Sequence, residues 1–231
     1  MSLGYRFVFL GILLMSYSVQ VVPTTVSEVC MILARYVQQP AQVGEIAPIS
    51  QAAGIELAHF VQQDAQIPAR RYLEAGGGCG AVSICIAKNL RPQDHLDVIE
   101  LDPKMCILLK KRLQAYSNVT VYCCSILDWK PAYSYDAIIS TLPFNSLGAA
   151  FTLQCIGLFQ SLAKPNCTWS YVEYPIVRQL LQHMYGKERK AMFQEVQELM
   201  TNFRMTCIIG QKMVYRNVPP VMIYHLMLNG Q

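Results

Sequence analysis

A run of glycines follows an acidic residue in the segment RRYLEAGGGCGAVS, residues 70–83. Four glycines occupy positions 76, 77, 78 and 80, and Glu74 stands two residues before the first of them. Glycine permits backbone conformations that other residues avoid, and it lets a ligand lie against bare main chain. Each glycine that a fold does not need lowers stability by roughly 0.5–1 kcal/mol. The run therefore indicates a ligand-binding turn between a strand and a helix.

Two classes of nucleotide cofactor bind such turns, and the charge of Glu74 distinguishes them. Gly76, Gly78 and Ala81 satisfy the dinucleotide fingerprint G-x-G-x-x-G/A. A dinucleotide would place its doubly negative pyrophosphate on the turn, where a buried carboxylate would repel it. S-Adenosylmethionine instead carries a cationic ammonium and a cationic sulfonium. Glu74 therefore favours S-adenosylmethionine as the cofactor.

A second acid, Glu100, ends the next apolar run, VIELD, about twenty residues further on. Its carboxylate can accept hydrogen bonds from both ribose hydroxyls, a role that both classes of cofactor share. Asp102 is the alternative ribose acceptor, although Pro103 after it indicates a turn that begins a helix. The alternative for the whole segment is a glycine turn without a ligand, in which Glu74 is a satisfied acid at a strand end.

The elements that must position these residues alternate between strand and helix from residue 71 onward. Nearly continuous apolar strands are typical of a parallel sheet that helices cover. Predicted strands span residues 71–75, 96–101, 119–124, 135–140 and 167–174, and predicted helices span 81–90, 103–116 and 149–163. The tail segments MTCIIGQKMVYRN and VMIYHLML indicate a closing antiparallel pair. The predicted fold is α/β, a doubly wound, mostly parallel, Rossmann-like sheet with this C-terminal pair and with N-terminal helices.

The first 25 residues are predicted to be an apolar segment that precedes a domain of residues 26–231. Residues 5–22, YRFVFLGILLMSYSVQVV, carry one charge, Arg6, and are just long enough to cross a bilayer as a helix. A retained anchor or interfacial helix, a signal peptide and a buried core helix all stay open. The anchor is preferred, because a cleaved signal would export a cysteine-rich, cofactor-using domain. It implies a cytoplasmic protein at the inner face of the membrane.

Composition limits the other kinds of site. The chain is 53% hydrophobic and 15% charged, below the roughly 25% charged residues usual for soluble domains, which keeps membrane contact open. The net charge of +4 permits an anionic lipid or an RNA surface and requires neither. The nine cysteines form no CxxC pair and no Cys/His ligand spacing. We therefore expect no metal site and no disulfide framework.

With strand, acid, glycine turn and second acid in this order, the chain resembles class I S-adenosylmethionine-dependent methyltransferases, which implies a seven-stranded sheet. Five stretches together resemble the bacterial phospholipid N-methyltransferase family: RYVQQPAQVGEIAPIS, LEAGGGCGAVS, VIELDP, ISTLPF and YRNVPPVMIYHL. That family methylates phosphatidylethanolamine towards phosphatidylcholine and is itself similar to the rRNA adenine dimethyltransferases. The resemblance covers roughly residues 30–228.

The resemblance implies roles for particular residues. Those that would line the cofactor are Glu74, Gly76, Gly78, Gly80, Glu100 and Ser125. At Ser125 the family carries an acid for the adenine amino group, and a hydroxyl can accept one hydrogen bond there. Those that would act on the substrate are Thr141, Phe144 and Tyr174. Either ring could stabilise the growing ammonium by cation–π contact, or could instead be core packing.

The predicted function is S-adenosylmethionine-dependent N-methylation of a phospholipid headgroup amine, with a phospholipid or a membrane surface as the partner. Adenine dimethyltransferases carry asparagine at position 141, and a threonine hydroxyl cannot match its two-way amide bonding, which argues against nucleic acid. Basic residues Arg178, Lys187, Arg189 and Lys190 could meet anionic headgroups or form a solvated helix face. The alternatives are an rRNA adenine or small-molecule methyltransferase, and a non-catalytic cofactor- or lipid-binding relative.

Overall fold

The computed structural model describes residues 49–61, 68–175 and 186–228. The strands are β1 (Arg71–Ala75), β2 (His95–Glu100), β3 (Val119–Cys123), β4 (Tyr135–Ser140), β5 (Ala163–Glu173), β6 (Ile208–Val214) and β7 (Val221–Leu228). The helices are α1 (Gln51–Leu57), α2 (Ala81–Ala87), α3 (Pro103–Leu113), α4 (Phe144–Leu162) and α5 (Lys187–Cys207), with a short 3-10 helix at Ile126–Asp128.

The seven strands form one sheet in the order β3-β2-β1-β4-β5-β7-β6. Strands β1 to β5 pair in parallel, whereas β7 is antiparallel to both β5 and β6. This confirms the predicted doubly wound sheet and its antiparallel C-terminal pair. We call the edge at which β1 to β5 end the carboxyl edge, and the opposite edge the amino edge. The strand order reverses between β1 and β4, which opens a crevice at the carboxyl edge, where ligands bind in such folds.

Helices cover both faces of the sheet, because alternate side chains of each strand point to opposite faces. Tyr72 belongs to the core beneath α1, α2 and α3, and its neighbour Leu73 belongs to the core beneath α4 and α5. The second core is centred on Trp169, which is fully buried and meets Phe159 edge-on with ring centroids 5.1 Å apart. Packed helices therefore cover both faces of the sheet, and the ends of the strands remain available for a site.

Two helices differ from the sequence prediction. Helix α4 begins at Phe144 rather than at residue 149, and Gly148 interrupts it with a φ of +85°. The apolar periodicity is regular only after that interruption, so the pattern missed the first turn. Helix α5 continues to Cys207, which moves the start of the last antiparallel pair to Ile208.

The predicted apolar segment of residues 1–25 lies outside the described residues, so the anchor and the membrane localisation stay predictions. Within the ranges that the structure does describe, no helix combines the length and the apolar character needed to span a bilayer.

A row of polar side chains, buried at Ser170 and His225 and exposed at Lys212, fastens α1 to the antiparallel end of the sheet. Glu56 of α1 pairs with Lys212 of β6 at 2.6 Å and with Nε2 of His225 of β7 at 3.4 Å. Nδ1 of His225 lies 2.8 Å from the hydroxyl of Ser170 on β5. The order serine, histidine, carboxylate is that of a hydrolase triad, but Ser170 is only 2% exposed. A substrate could not reach it, so the row holds elements together.

We expect this row to make stability depend on pH. Burial lowers the pKa of His225 below 6.5, although Glu56 opposes the shift and His59 and Lys212 add to it. The unfolded chain therefore binds the proton more readily, and the free energy of unfolding falls as pH drops below about 6.5. The slope from one proton is at most about 1.4 kcal/mol per pH unit.

Urea unfolding between about pH 7.5 and about pH 5.5 measures this slope. The variant His225→Gln has no titrating group at this position and should show a flatter dependence than the wild-type chain. Equal slopes in the two proteins would contradict the assignment to His225.

Candidate active site

The glycine turn lies at the carboxyl edge, between β1 and α2. The amides of Gly76 and Gly77 both donate to the carbonyl of Ile99 on β2, at 2.9 and 3.2 Å. Gly76 has a φ of +85°, which favours glycine, and a Cβ added at Gly77 would lie 2.5 Å from Cγ1 of Val98. The predicted residues Gly78 and Gly80 also have positive φ. The turn thus needs glycine for its own geometry, and its contact with a ligand stays a prediction.

Glu74 is fully buried, in register between Val98 of β2 and Ile139 of β4. The residue therefore lies on a central strand of the sheet, one position before that strand ends. A phosphate on the turn above would meet this acid at low dielectric, whereas a cation would be attracted. The charge argument made from the sequence fits this position, and the cofactor contact of Glu74 itself stays a prediction.

Glu100 is the acid that faces the glycine turn. Its Oε2 accepts from the amide of Gly78 and its Oε1 from the amide of Asp102, each at 2.8 Å. Asp102, the alternative ribose acceptor, instead caps α3 by accepting from the amide of Lys104 at 2.8 Å. Since a carboxylate oxygen can accept more than one hydrogen bond, a ribose hydroxyl could also donate to Glu100. The sequence did not indicate that Glu100 also holds the turn in shape.

The loop after β3 borders Glu100. The amide of Cys124 donates to the carbonyl of Glu100 at 3.1 Å, and the thiol of Cys106 donates to the same carbonyl at 3.3 Å. Burial beside Cys123 raises the pKa of Cys106 to about 12, so it stays a thiol and not a nucleophile. Ser125 caps the 3-10 helix by accepting from the amide of Leu127 at 3.2 Å. Its contact with an adenine stays a prediction.

Thr141 lies in the crevice between β1 and β4. Its amide donates to the carbonyl of Ala75 at 3.1 Å, and its hydroxyl donates to the carbonyl of Gly76 at 2.6 Å. The residue is 9% exposed. Because the hydroxyl proton is already donated, only oxygen lone pairs remain for a substrate. Thr141 thus joins the glycine turn to the crevice and can accept a hydrogen bond from an amine N–H.

We expect Thr141→Val to weaken cofactor binding roughly fivefold, since the turn loses one hydrogen bond of about 1 kcal/mol. The matched control is Thr206→Val at the end of α5, where the hydroxyl donates to the carbonyl of Phe203 at 2.7 Å. Calorimetric titration with S-adenosylmethionine measures both affinities. A Thr141→Val variant that binds as tightly as Thr206→Val would show that this bond does not shape the turn.

The two predicted aromatic residues lie on opposite faces of the sheet. Phe144 is 6% exposed and meets Trp169 edge-on, with centroids 6.0 Å apart. Tyr174 follows β5, is half-buried and packs on the core beneath α1 to α3. The structure therefore does not bring these rings together, and their roles stay predictions. The hydroxyls of two other tyrosines, Tyr133 and Tyr135, both donate to the carboxylate of Asp97 at 2.9 Å.

Two contacts near the turn were not indicated by the sequence. Arg112 of α3 donates to the carbonyl of Cys79 in the glycine turn at 2.7 Å. At the start of α1, Oδ1 of Asn217 accepts from the amide of Ser50 at 2.7 Å. Both stretches contribute to the family resemblance, PIS before the turn and RNVPP in the tail, but 167 residues separate them. No local signal could have paired them.

Comparisons with known proteins support a methyltransferase. A family model described as ribosomal RNA adenine dimethylase matches residues 53–182, more than half of the chain. No curated protein sequence matches significantly.

Within the part of the chain that the structure describes, no three side chains are grouped to hold a metal ion.

Solved structures show the same fold at low sequence identity. The O-methyltransferase from Bacillus cereus, in complex with S-adenosylhomocysteine, has a TM-score of 0.60 and 14% identity over 90% of this chain and 93% of its own. The N-methyltransferase NodS from Bradyrhizobium japonicum, with the same ligand, has a TM-score of 0.55 and 12% identity, covering 88% and 99%. A putative rRNA methylase from Clostridium thermocellum has a TM-score of 0.54 and 14% identity, covering 78% and 95%.

These findings overturn one prediction and support a second one only at its coarser level. The sequence argument against nucleic acid as a partner is wrong, because the matching family model is that of enzymes named for ribosomal RNA. Thr141 alone is a poor guide to the substrate, because the family pattern extends over the whole sheet. The coarser resemblance to class I S-adenosylmethionine-dependent methyltransferases is confirmed. The narrower resemblance to phospholipid N-methyltransferases finds no support in the comparisons.

Proposed function

Since the chain belongs to the ribosomal RNA adenine dimethylase family, we propose that it methylates the exocyclic amine of an adenine in RNA. The observation that carries the proposal is the family match, which extends from α1 through the glycine turn, Thr141 and β5 to residue 182. The chain is an S-adenosylmethionine-dependent methyltransferase, and the substrate is what we propose here.

The residues at the carboxyl edge fit the cofactor. The glycine turn offers main chain without side chains, the buried acid Glu74 suits a cationic ligand, and Glu100 offers lone pairs to a ribose. When bound, S-adenosylmethionine would supply an electrophilic methyl group to the amine nitrogen, with S-adenosylhomocysteine as the leaving group.

Thr141 is the residue that we expect to orient the amine. Its oxygen can accept a hydrogen bond from one N–H and so direct the nitrogen lone pair at the methyl group. The other amine proton is lost to water, since the described residues offer no obvious general base at this position. Catalysis then comes mainly from proximity and alignment.

The proposal is tested with the purified full-length chain, methyl-labelled S-adenosylmethionine and unmethylated ribosomal RNA made by transcription. We expect label in the RNA, and methylated adenine after digestion and mass spectrometry. Vesicles that contain phosphatidylethanolamine form the second arm of the assay. Label in neither substrate would overturn the proposal, provided that the protein binds the cofactor.

A second candidate substrate, the aliphatic amine of a phosphatidylethanolamine headgroup, is favoured by the hydrogen bonding of Thr141. With its proton donated to Gly76, the hydroxyl has none to donate to the ring nitrogen of an adenine. An aliphatic amine needs only an acceptor. Label in the lipid and not in the RNA would decide for this candidate.

A further inference from the structure

The turn that joins β6 to β7, residues 215–220, projects from the carboxyl edge; we call it the hairpin turn. Val214 and Val221 pair at its base, and Met222 of β7 pairs with Glu173 at the carboxyl end of β5. The hairpin turn therefore lies at the same edge of the sheet as the glycine turn and Thr141. A substrate that approaches the crevice from this side would meet it.

The hairpin turn is held in place by a buried amide. Asn217 is fully buried, and its Oδ1 accepts from the amide of Ser50 at the start of α1 at 2.7 Å. Its Nδ2 donates to the carbonyl of Pro219 at 2.8 Å, and its own amide donates to the carbonyl of Val214 at 3.4 Å. A turn fixed in this way presents neighbouring side chains without a large ordering cost on binding.

Two side chains before Asn217 face solvent. Tyr215 is 77% exposed, and Arg216 is exposed beside it. Toward the residues that the structure describes, neither side chain makes a hydrogen bond, an ion pair or a ring contact. A tyrosine ring and a guanidinium at the entrance to a site suit a ligand that offers both a flat ring and an anion.

A second group of cations lies at the same edge, at the start of α5. Because α5 leads directly into β6, which begins at the amino edge, the first turn of α5 extends toward the carboxyl edge, on the face of the sheet opposite α1. The bond of 2.8 Å between Gln197 and Asn145, just after β4, agrees with this placement. Lys187, Arg189 and Lys190 lie in that turn. Glu188 lies among them, so this turn carries three cations and one acid, and its net charge of +2 suits an anionic partner.

We propose that the hairpin turn and the first turn of α5 form a docking surface for single-stranded RNA that flanks the target nucleotide. Tyr215 stacks on a base, while Arg216, Lys187 and Lys190 contact phosphates. The inference rests on the proposed function, because an adenine in RNA reaches the crevice with its neighbouring nucleotides attached. The docking surface would lie apart from the glycine turn.

The test is fluorescence anisotropy with a fluorescein-labelled single-stranded RNA of about twelve nucleotides and the full-length chain. We expect Tyr215→Ala to weaken binding roughly 5- to 150-fold, the range for loss of one stacked base. Arg216→Gln should weaken binding and lower the salt slope by roughly 0.7 for one phosphate. The double variant Lys187→Gln/Lys190→Gln should lower that slope further. The matched control is Lys88→Gln, an exposed cation at the end of α2 at the amino edge, which should bind like the wild-type chain.

Three outcomes would overturn the docking surface: no RNA binding by the wild-type chain, variants that bind like Lys88→Gln, or variants that lose binding only to phosphatidylethanolamine vesicles. All variants should keep wild-type affinity for S-adenosylmethionine, which shows that they fold. The test distinguishes failure of the docking surface from failure of the proposed function. If the chain binds RNA through Tyr215 and Arg216 but transfers no methyl group to it, the docking surface stands and the proposed function is wrong.

Discussion

Replacing Glu74 by glutamine is expected to lower the affinity for S-adenosylmethionine roughly 10- to 100-fold, and kcat/KM with it. The change keeps the shape of the side chain and removes its charge. A hydrogen bond to a charged group contributes about 1.5–3 kcal/mol, and the full burial of Glu74 limits screening by water. Calorimetric titration and single-turnover methyl transfer measure the two effects.

Asp97→Asn is the matched control for Glu74→Gln. Asp97 is also fully buried and lies on the adjacent strand β2, but its Oδ2 accepts from the hydroxyls of Tyr133 and Tyr135. We expect this variant to lose stability by about 1 kcal/mol and to keep its cofactor affinity. If Glu74→Gln binds the cofactor as tightly as the wild-type chain, the charge argument is wrong.

Glu100→Gln is expected to weaken cofactor binding roughly 10- to 100-fold for two reasons. The amide that replaces one carboxylate oxygen places a donor against the amide of either Gly78 or Asp102, so one backbone donor loses its acceptor, at a cost of about 1–3 kcal/mol. A ribose hydroxyl would lose an acceptor as well. Asp102→Asn, which can keep the cap of α3, should bind the cofactor normally.

The two roles of Glu100 can be separated with a second ligand. S-Adenosylhomocysteine and its analogue without the ribose hydroxyls should differ in affinity for the wild-type chain, and much less for Glu100→Gln. An unchanged difference between the ligands would leave Glu100 only the task of holding the glycine turn.

The local sequence around the cofactor turn contained most of what was predicted correctly. Gly76, Gly78 and Gly80 have the positive φ that only glycine adopts readily, and the acids before and after them lie in the last two positions of their strands. The strands β1 to β5 were found because parallel strands covered on both faces are continuously apolar. These signals depend on neighbours in the chain, so the sequence shows them directly.

Contacts between distant parts of the chain could not be predicted in this way. The hydroxyl of Thr141 donates to Gly76 across 65 residues, and the amide of Ser50 donates to Asn217 across 167. The ring of Phe144 is turned into the core around Trp169. The direction of a side chain and its long-range partner depend on how helices and strands pack together, not on the residue type.

Residues adjacent in the chain were enough to indicate the strands, the glycine turn and a preference for a cationic cofactor. Packing between distant segments established which acid bonds to the glycine turn, which carbonyl accepts the hydroxyl proton of Thr141, and which exposed side chains lie along the carboxyl edge. The physical reason is that an edge of a sheet collects the ends of strands that lie far apart in sequence.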